Sequence, residues 1–104
     1  MRSITAPQLK TLLDEGKIQL LDVRQPEELE IAHIAGAINI PLNELPARIA
    51  ELDKARPTVA FCHHGVRSEM ALRQLERNGF DDFAHLSGGI DAWSQDVDPS
   101  VPRY

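Results

Sequence analysis

The segment Val59-Ala60-Phe61-Cys62-His63-His64-Gly65-Val66-Arg67-Ser68 brings together residue types that can do chemistry. A run of β-formers leads into Cys62, a short loop with a glycine follows, and an arginine opens what reads as a helix. In a parallel α/β sheet, ligands bind beyond the carboxyl ends of the strands, which is where Cys62 stands. The loop leads into a helix N-terminus, whose free N–H groups and dipole favour an anion. A thiolate is such an anion, so the position favours the nucleophilic form of Cys62. Gly65 lets the loop take positive φ and turn its amides inward, as a nest for an oxyanion or for the terminal sulfur of a persulfide. Arg67 adds a permanent charge and a planar fork for an anionic substrate. His63 and His64 each bring a donor and, when protonated, a charge. Both read as rim residues, and neither is placed by sequence as a general base; a thiolate nucleophile needs none.

Cys62 is the single cysteine of the chain. It cannot form an internal disulfide, and its surroundings lack the ligand spacing of a structural zinc site. A lone cysteine is commonly a small buried hydrophobe. An ordinary strand–turn–helix connection, however, has no use for Cys, Gly and Arg together. No metal and no cofactor are expected. With no second cysteine to resolve a persulfide on Cys62, an outside acceptor must discharge it.

The elements that must position this loop are legible as alternating helices and strands. Thr5 and Gln8 form a capping-box pattern ahead of Leu9, Leu12 and Leu13, and Gly16 ends that helix. Ile18 to Val23 reads as a buried strand, Pro26 opens a short helical turn through Leu29, and Ala37 to Ile40 reads as a second strand. Asn43 is expected to cap a helix holding Leu45, Ile49 and Leu52, with Pro46 tolerated in its first turn. Thr58 to Cys62 is the third strand. A helix from Arg67 to Asn78 is expected to place Met70, Ala71 and Leu75 on one side. Phe83 to Leu86 is the last strand, and Gly88-Gly89 precedes a short helix through Ile90 and Trp93. The tail from Asp96 to Tyr104 reads as an extended surface strap with Pro99 and Pro102 as turn formers. Strand–helix alternation of this kind calls for a mostly parallel sheet with helices on both faces.

Composition bounds the remaining classes. The chain has 104 residues, the size of one domain, so residues 1–104 are read as a single unit. Hydrophobic residues make up 42%, which suits a globular core. The net charge is −5 and the basic residues are dispersed, so no nucleic-acid partner is expected. No apolar stretch is long enough to span a membrane, and the N-terminal residues lack the apolar core of a signal peptide; the cytoplasm is the expected compartment.

Three separated stretches resemble the rhodanese family of sulfurtransferases. The first is Leu21-Asp22-Val23-Arg24 with Pro26-Glu27-Glu28 and His33-Ile34-Ala35-Gly36-Ala37-Ile38-Asn39-Ile40-Pro41. The second is Cys62 to Ser68. The third is Leu86-Ser87-Gly88-Gly89-Ile90-Asp91-Ala92-Trp93. They occur in the family's order, at the spacing of members that stand alone as one domain. The resemblance implies a rhodanese-like α/β fold, a five-stranded mostly parallel central sheet with helices on both faces. It implies that Cys62 accepts a sulfane sulfur from thiosulfate or a persulfide donor and passes it to cyanide or a thiol. It also implies that His63, His64, Gly65, Val66, Arg67 and Ser68 bind the substrate, and that Asp22 and Arg24 support the site without chemical participation. His33 and Trp93 are read as structural. Ala32 and Leu29 depart from the family pattern, which commonly has a glycine and an aromatic there.

Four residues separate Cys62 from Arg67, namely His63, His64, Gly65 and Val66. Cysteine phosphatases place five, and the resemblance implies that the shorter ring suits a sulfur atom rather than a tetrahedral phosphate. The competing functions are a binding or regulatory module without turnover and a persulfide carrier between proteins. The first of these is disfavoured by the retention of Cys62 and Arg67. The second shares the chemistry at Cys62, with proteins as donor and acceptor.

Overall fold

The computed structural model describes residues 2–104. Its central sheet has five strands in the order β1-β5-β4-β2-β3, where β1 is Ser3–Ile4, β2 Gln19–Asp22, β3 Ile38–Asn39, β4 Thr58–Phe61 and β5 Phe83–Leu86. Every pairing between them is parallel. The helices are α1 (Ala6–Glu15), α2 (Pro26–Ile31), α3 (Leu45–Arg48), α4 (Val66–Arg77) and α5 (Gly89–Asp96). The strands of the sequence reading are all present. The strand β1, which no local pattern marks, completes the five-stranded sheet that the family resemblance implies. It is two residues long, too short for any periodicity to register, and exists because Ser3 and Ile4 pair with His85 and Leu86.

Strand alternation divides the core between the two faces of the sheet. Leu20, Val59, Phe61 and Leu86 point to one face and pack with Ala6 and Leu9 of α1 and Ile90 and Trp93 of α5. Leu21, Val23, Ala60 and Cys62 belong to the other, packed with Leu45 of α3 and with Ala71, Leu72 and Leu75 of α4. Each face thus carries its own apolar layer, and the loop after β4 emerges where both layers end.

The local signals for α1 hold in detail. The Gln8 amide donates to Thr5 Oγ1 at 3.3 Å, and the Thr5 amide donates to Gln8 Oε1 at 2.8 Å. Two expectations fail. Asn43 does not cap a helix: Glu44 is the N-cap of a four-residue α3, which lies between 3-10 turns at Leu42–Glu44 and Ile49–Glu51. The side chain of Asn43 instead accepts from Gln25 Nε2 at 3.1 Å. Met70 does not face the core, being 53% exposed. The buried residues of α4 are Ser68, Ala71, Leu72 and Leu75, which leaves Met70 in line with Val66, one turn before it, on the outer face.

Candidate active site

The strand β4 stops at Phe61, so Cys62 is the first residue of the loop. It keeps the parity of Ala60 and therefore points to the face covered by α4. That parity brings the thiol under the N-terminus of the helix. The Gly65 amide donates to Cys62 Sγ at 3.1 Å and the Ser68 amide at 3.4 Å. The first-turn N–H groups of a helix have no intrahelical acceptor, and here the sulfur supplies one for Ser68. Gly65 makes this turn with φ +123°, a value that a residue with a Cβ rarely adopts. Cys62 is only 1% exposed. The sequence places a thiolate beyond the carboxyl end of a strand; in the structure the loop closes over the sulfur, which lies beneath the Gly65 and Ser68 amides that face it.

Ser68 ties the ring shut. Its hydroxyl donates to the Gly65 carbonyl at 3.0 Å, lies 3.7 Å from Cys62 Sγ and lies 3.1 Å from His85 Nδ1. Burial holds the His85 imidazole below its ordinary pKa, toward the neutral form. His85 projects from β5 and was not distinguished in the sequence from any other strand residue.

A second support comes from the opening of α5. Ile90 N donates to the Cys62 carbonyl at 2.9 Å and Asp91 N to the His63 carbonyl at 3.3 Å. A Cβ at Gly89, where φ is +61°, would collide with the backbone of Cys62 and His63. The paired glycines before Trp93 are therefore the means by which a helix end approaches the loop backbone. Trp93 is buried as expected, whereas His33 is exposed and lines a surface groove with Trp93 and Val101.

Arg67 does not present an open fork. Its Nη1 and Nη2 donate to Glu28 Oε2 and Oε1 at 2.7 and 2.9 Å. Glu28 also accepts from the Gln25 amide at 2.9 Å and from the Tyr104 hydroxyl at 2.8 Å. The Arg67 guanidinium, with these further donors, holds the Glu28 carboxyl down at about 2. Glu28 in turn raises the Arg67 pKa, so both partners are charged throughout the ordinary pH range.

Asp22 and Arg24 sit at the same end of the sheet but on the opposite face from Cys62. Asp22 shares the parity of Leu20, and the Arg24 guanidinium lies 5.5 Å from the Phe61 ring centroid. Their side chains are 1% and 0% exposed, and Arg24 Nε and Nη2 grip the Asp22 carboxylate at 2.9 and 2.7 Å. Burial opposes the Arg24 charge, but the hydrogen bonds that Arg24 donates to Asp22 and Tyr104 outweigh it and the pKa rises. Arg24 Nη1 donates to the Tyr104 hydroxyl at 2.9 Å. A continuous chain of polar contacts thus runs Asp22–Arg24–Tyr104–Glu28–Arg67, and through it the pair at the end of β2 reaches the loop without touching the sulfur.

Tyr104 arrives by way of the strap. Asp98 N donates to the Trp93 carbonyl at 2.9 Å, and Val101 and Tyr104 pack against the α1/α5 layer. The Tyr104 ring stacks on His63 at 3.8 Å between centroids with 5° between planes, and His64 covers His63 at 3.9 Å. His63 is thereby fixed in a stack, with Nε2 buried and unpartnered, while His64 is exposed. With His85, Glu28 and Tyr104 are the site residues that the sequence does not single out. Glu28 reads locally as an ordinary first-turn acid, and Tyr104 lies 42 positions beyond Cys62 in a tail without pattern. Val66, at the rim, is 72% exposed.

The rhodanese-like domain family model matches residues 5–96. The chain is similar to MoeZ of Mycobacterium tuberculosis, a probable adenylyltransferase/sulfurtransferase, with 41% identity over 105 residues that cover 98% of this chain and 27% of that protein. It thus spans about a quarter of that relative's length. It is similar to the thiosulfate sulfurtransferase GlpE of Shewanella oneidensis, 33% identical over 94 residues that cover 90% of this chain and 93% of that one. Among solved structures, a rhodanese-related protein from Thermoplasma volcanium superimposes with a TM-score of 0.86 at 34% identity, covering 100% of both chains. No helix among the described residues is long and apolar enough to cross a membrane.

Proposed function

Since the chain belongs to the rhodanese-like domain family, we propose that it is a sulfurtransferase that holds a sulfane sulfur as a persulfide on Cys62. The observation behind this reading is the pair of backbone amides, Gly65 and Ser68, aimed at a single cysteine sulfur from the start of α4. Such donors favour an anionic sulfur and cost nothing to reorganise when it forms. In the first half-reaction the Cys62 thiolate attacks the outer sulfur of thiosulfate or of a hydropersulfide. The new S–S bond forms as the old one breaks, and sulfite or a thiolate leaves with the electron pair. In the second, cyanide or a thiolate attacks the outer sulfur of the persulfide and restores the Cys62 thiolate. The chemistry needs no more than the one domain that residues 1–104 are read as, and the cytoplasm, where thiols stay reduced, suits it.

A protein-to-protein relay uses the same chemistry, and the apolar rim formed by Val66 and Met70, 72% and 53% exposed, favours a protein as one of the partners. The test is intact mass. Incubation with a sulfur donor adds the mass of one sulfur to the wild-type chain, cyanide removes it as thiocyanate, and Cys62→Ser gains nothing. A wild-type mass that stays unchanged with thiosulfate and with hydropersulfides alike would overturn the reading.

A further inference from the structure

Resting on that reading, the geometry points to Glu28 as a specificity-determining residue that occupies the Arg67 fork and so selects hydropersulfide donors, which carry at most one charge, over dianionic thiosulfate. An arginine next to a nucleophilic cysteine would ordinarily receive the anionic part of a donor in its two parallel N–H groups. Here those two groups are already engaged, at 2.7 and 2.9 Å, by a carboxylate of the same chain. Glu28 is no mobile surface acid. Each of its oxygens accepts two hydrogen bonds, Oε2 from Arg67 and the Gln25 amide, Oε1 from Arg67 and the Tyr104 hydroxyl. Tyr104 is itself fixed by Arg24 and by its stack on His63. The second guanidinium of the network, Arg24, is buried on Asp22 and is equally committed. Glu28 therefore fills the two N–H groups that would grip a substrate anion bidentately, and a dianion taking that grip must displace it.

The charge balance of the two half-reactions differs accordingly. With thiosulfate, a thiolate meets a dianion, three negative charges in all, and sulfite departs as a dianion. With a hydropersulfide R–S–SH, a monoanion at most when ionised to R–S–S⁻, the protonated form is the one attacked: the Cys62 Sγ–S bond to the outer sulfur forms, the S–S bond of the donor breaks and R–S⁻ leaves with the electron pair, so the encounter carries at most two negative charges against three for thiosulfate. A loop whose guanidinium is neutralised by Glu28, in a chain of net charge −5, has little to set against the first encounter and less repulsion to overcome in the second. The exposed apolar side chains of Val66 and Met70 at the rim suit the organic part of such a donor better than they suit a sulfonate.

The experiment compares kcat/KM for thiosulfate with kcat/KM for the hydropersulfide of N-acetylcysteine amide, which carries no charged group beyond the reacting sulfur. In the wild type the hydropersulfide is expected to be used ~100-fold better. In Glu28→Gln, which keeps an acceptor for Tyr104 but releases Arg67, the ratio is expected to move ~10-fold or more toward thiosulfate, through its KM. Sulfite should then inhibit the variant and spare the wild type. The added Arg67→Leu in a Glu28→Gln background should cancel the gain. Equal use of the two donors by the wild type would overturn the proposal, even if the variants fail to fold. So would a Glu28→Gln protein, folded by circular dichroism, with an unchanged ratio. Neither outcome touches the proposed sulfur transfer, which fails only if no donor loads Cys62.

Discussion

Replacing Arg24 by methionine tests how the site is held. The guanidinium is completely buried and so is its partner, with side-chain exposures of 0% and 1% for Arg24 and Asp22. Removing the cation leaves a buried carboxylate without its counter-charge, which costs about 3–5 kcal/mol. It also strips a hydrogen-bond donor from the buried Ala32 carbonyl, reached by Arg24 Nη2 at 2.9 Å, and this adds about 1 kcal/mol. The two losses share one side chain and are not fully additive, so about 4 kcal/mol is the expected total. A domain of this size has about 5–15 kcal/mol in all. Urea unfolding followed by circular dichroism should therefore show a midpoint lowered by about 2 M, and thermal unfolding a Tm lower by roughly 15–30 °C. Most of the loss comes from the stranded Asp22 rather than from lost packing. Adding Asp22→Leu to Arg24→Met should consequently recover most of it, because a well-packed apolar pair commonly matches a buried ion pair. A single-variant loss below about 1 kcal/mol, or a double variant no more stable than Arg24→Met, would refute that assignment.

Glu28 gives a pH signature: its carboxyl is held at about 2 against an ordinary value of 4.5, so its stabilising contribution is complete above pH 4.5 and is lost as pH falls through 2. Acid unfolding of Glu28→Gln should accordingly be shallower between those limits than that of the wild type, with the difference between the two proteins shrinking toward the acid end. At the glycines, Gly65→Ala introduces strain at φ +123° with only ordinary contacts around the new methyl, whereas Gly89→Ala adds a collision with the Cys62 and His63 backbone. Thermal unfolding should show a loss of about 1–3 kcal/mol for the first and a clearly larger one for the second; equal losses would mean that α5 does not brace the loop.

The loop Cys62 to Ser68 is legible because a helix N-terminus, a glycine and a cysteine are local facts, fixed by adjacency along the chain. The same holds for the capping box of α1 and for the four long apolar strand patterns. Met70 was misassigned for a related reason. The helical stripe through Ala71, Leu72 and Leu75 is wide, and local spacing does not say on which edge of it the sheet lies. Asn43 was misassigned because a side chain suited to capping also suits a contact across space, here with Gln25.

The residues on either side of the loop depend on where strands lie in the sheet. Asp22 pairs in register with Phe61, which sets the end of β2 beside the end of β4 across 39 positions of sequence. Only that register brings α2, with Glu28 on it, against the start of α4. Tyr104 joins them because the strap turns back at Asp98 and packs against the α1/α5 layer. Residue order alone therefore determined the cysteine and the amides that face it, since those need only a strand, a turn and a helix in succession. Whether Arg67 is free or filled, and whether the sulfur is open or covered, was decided by tertiary structure, because a charge's partner is whichever group the packed sheet brings within hydrogen-bonding distance.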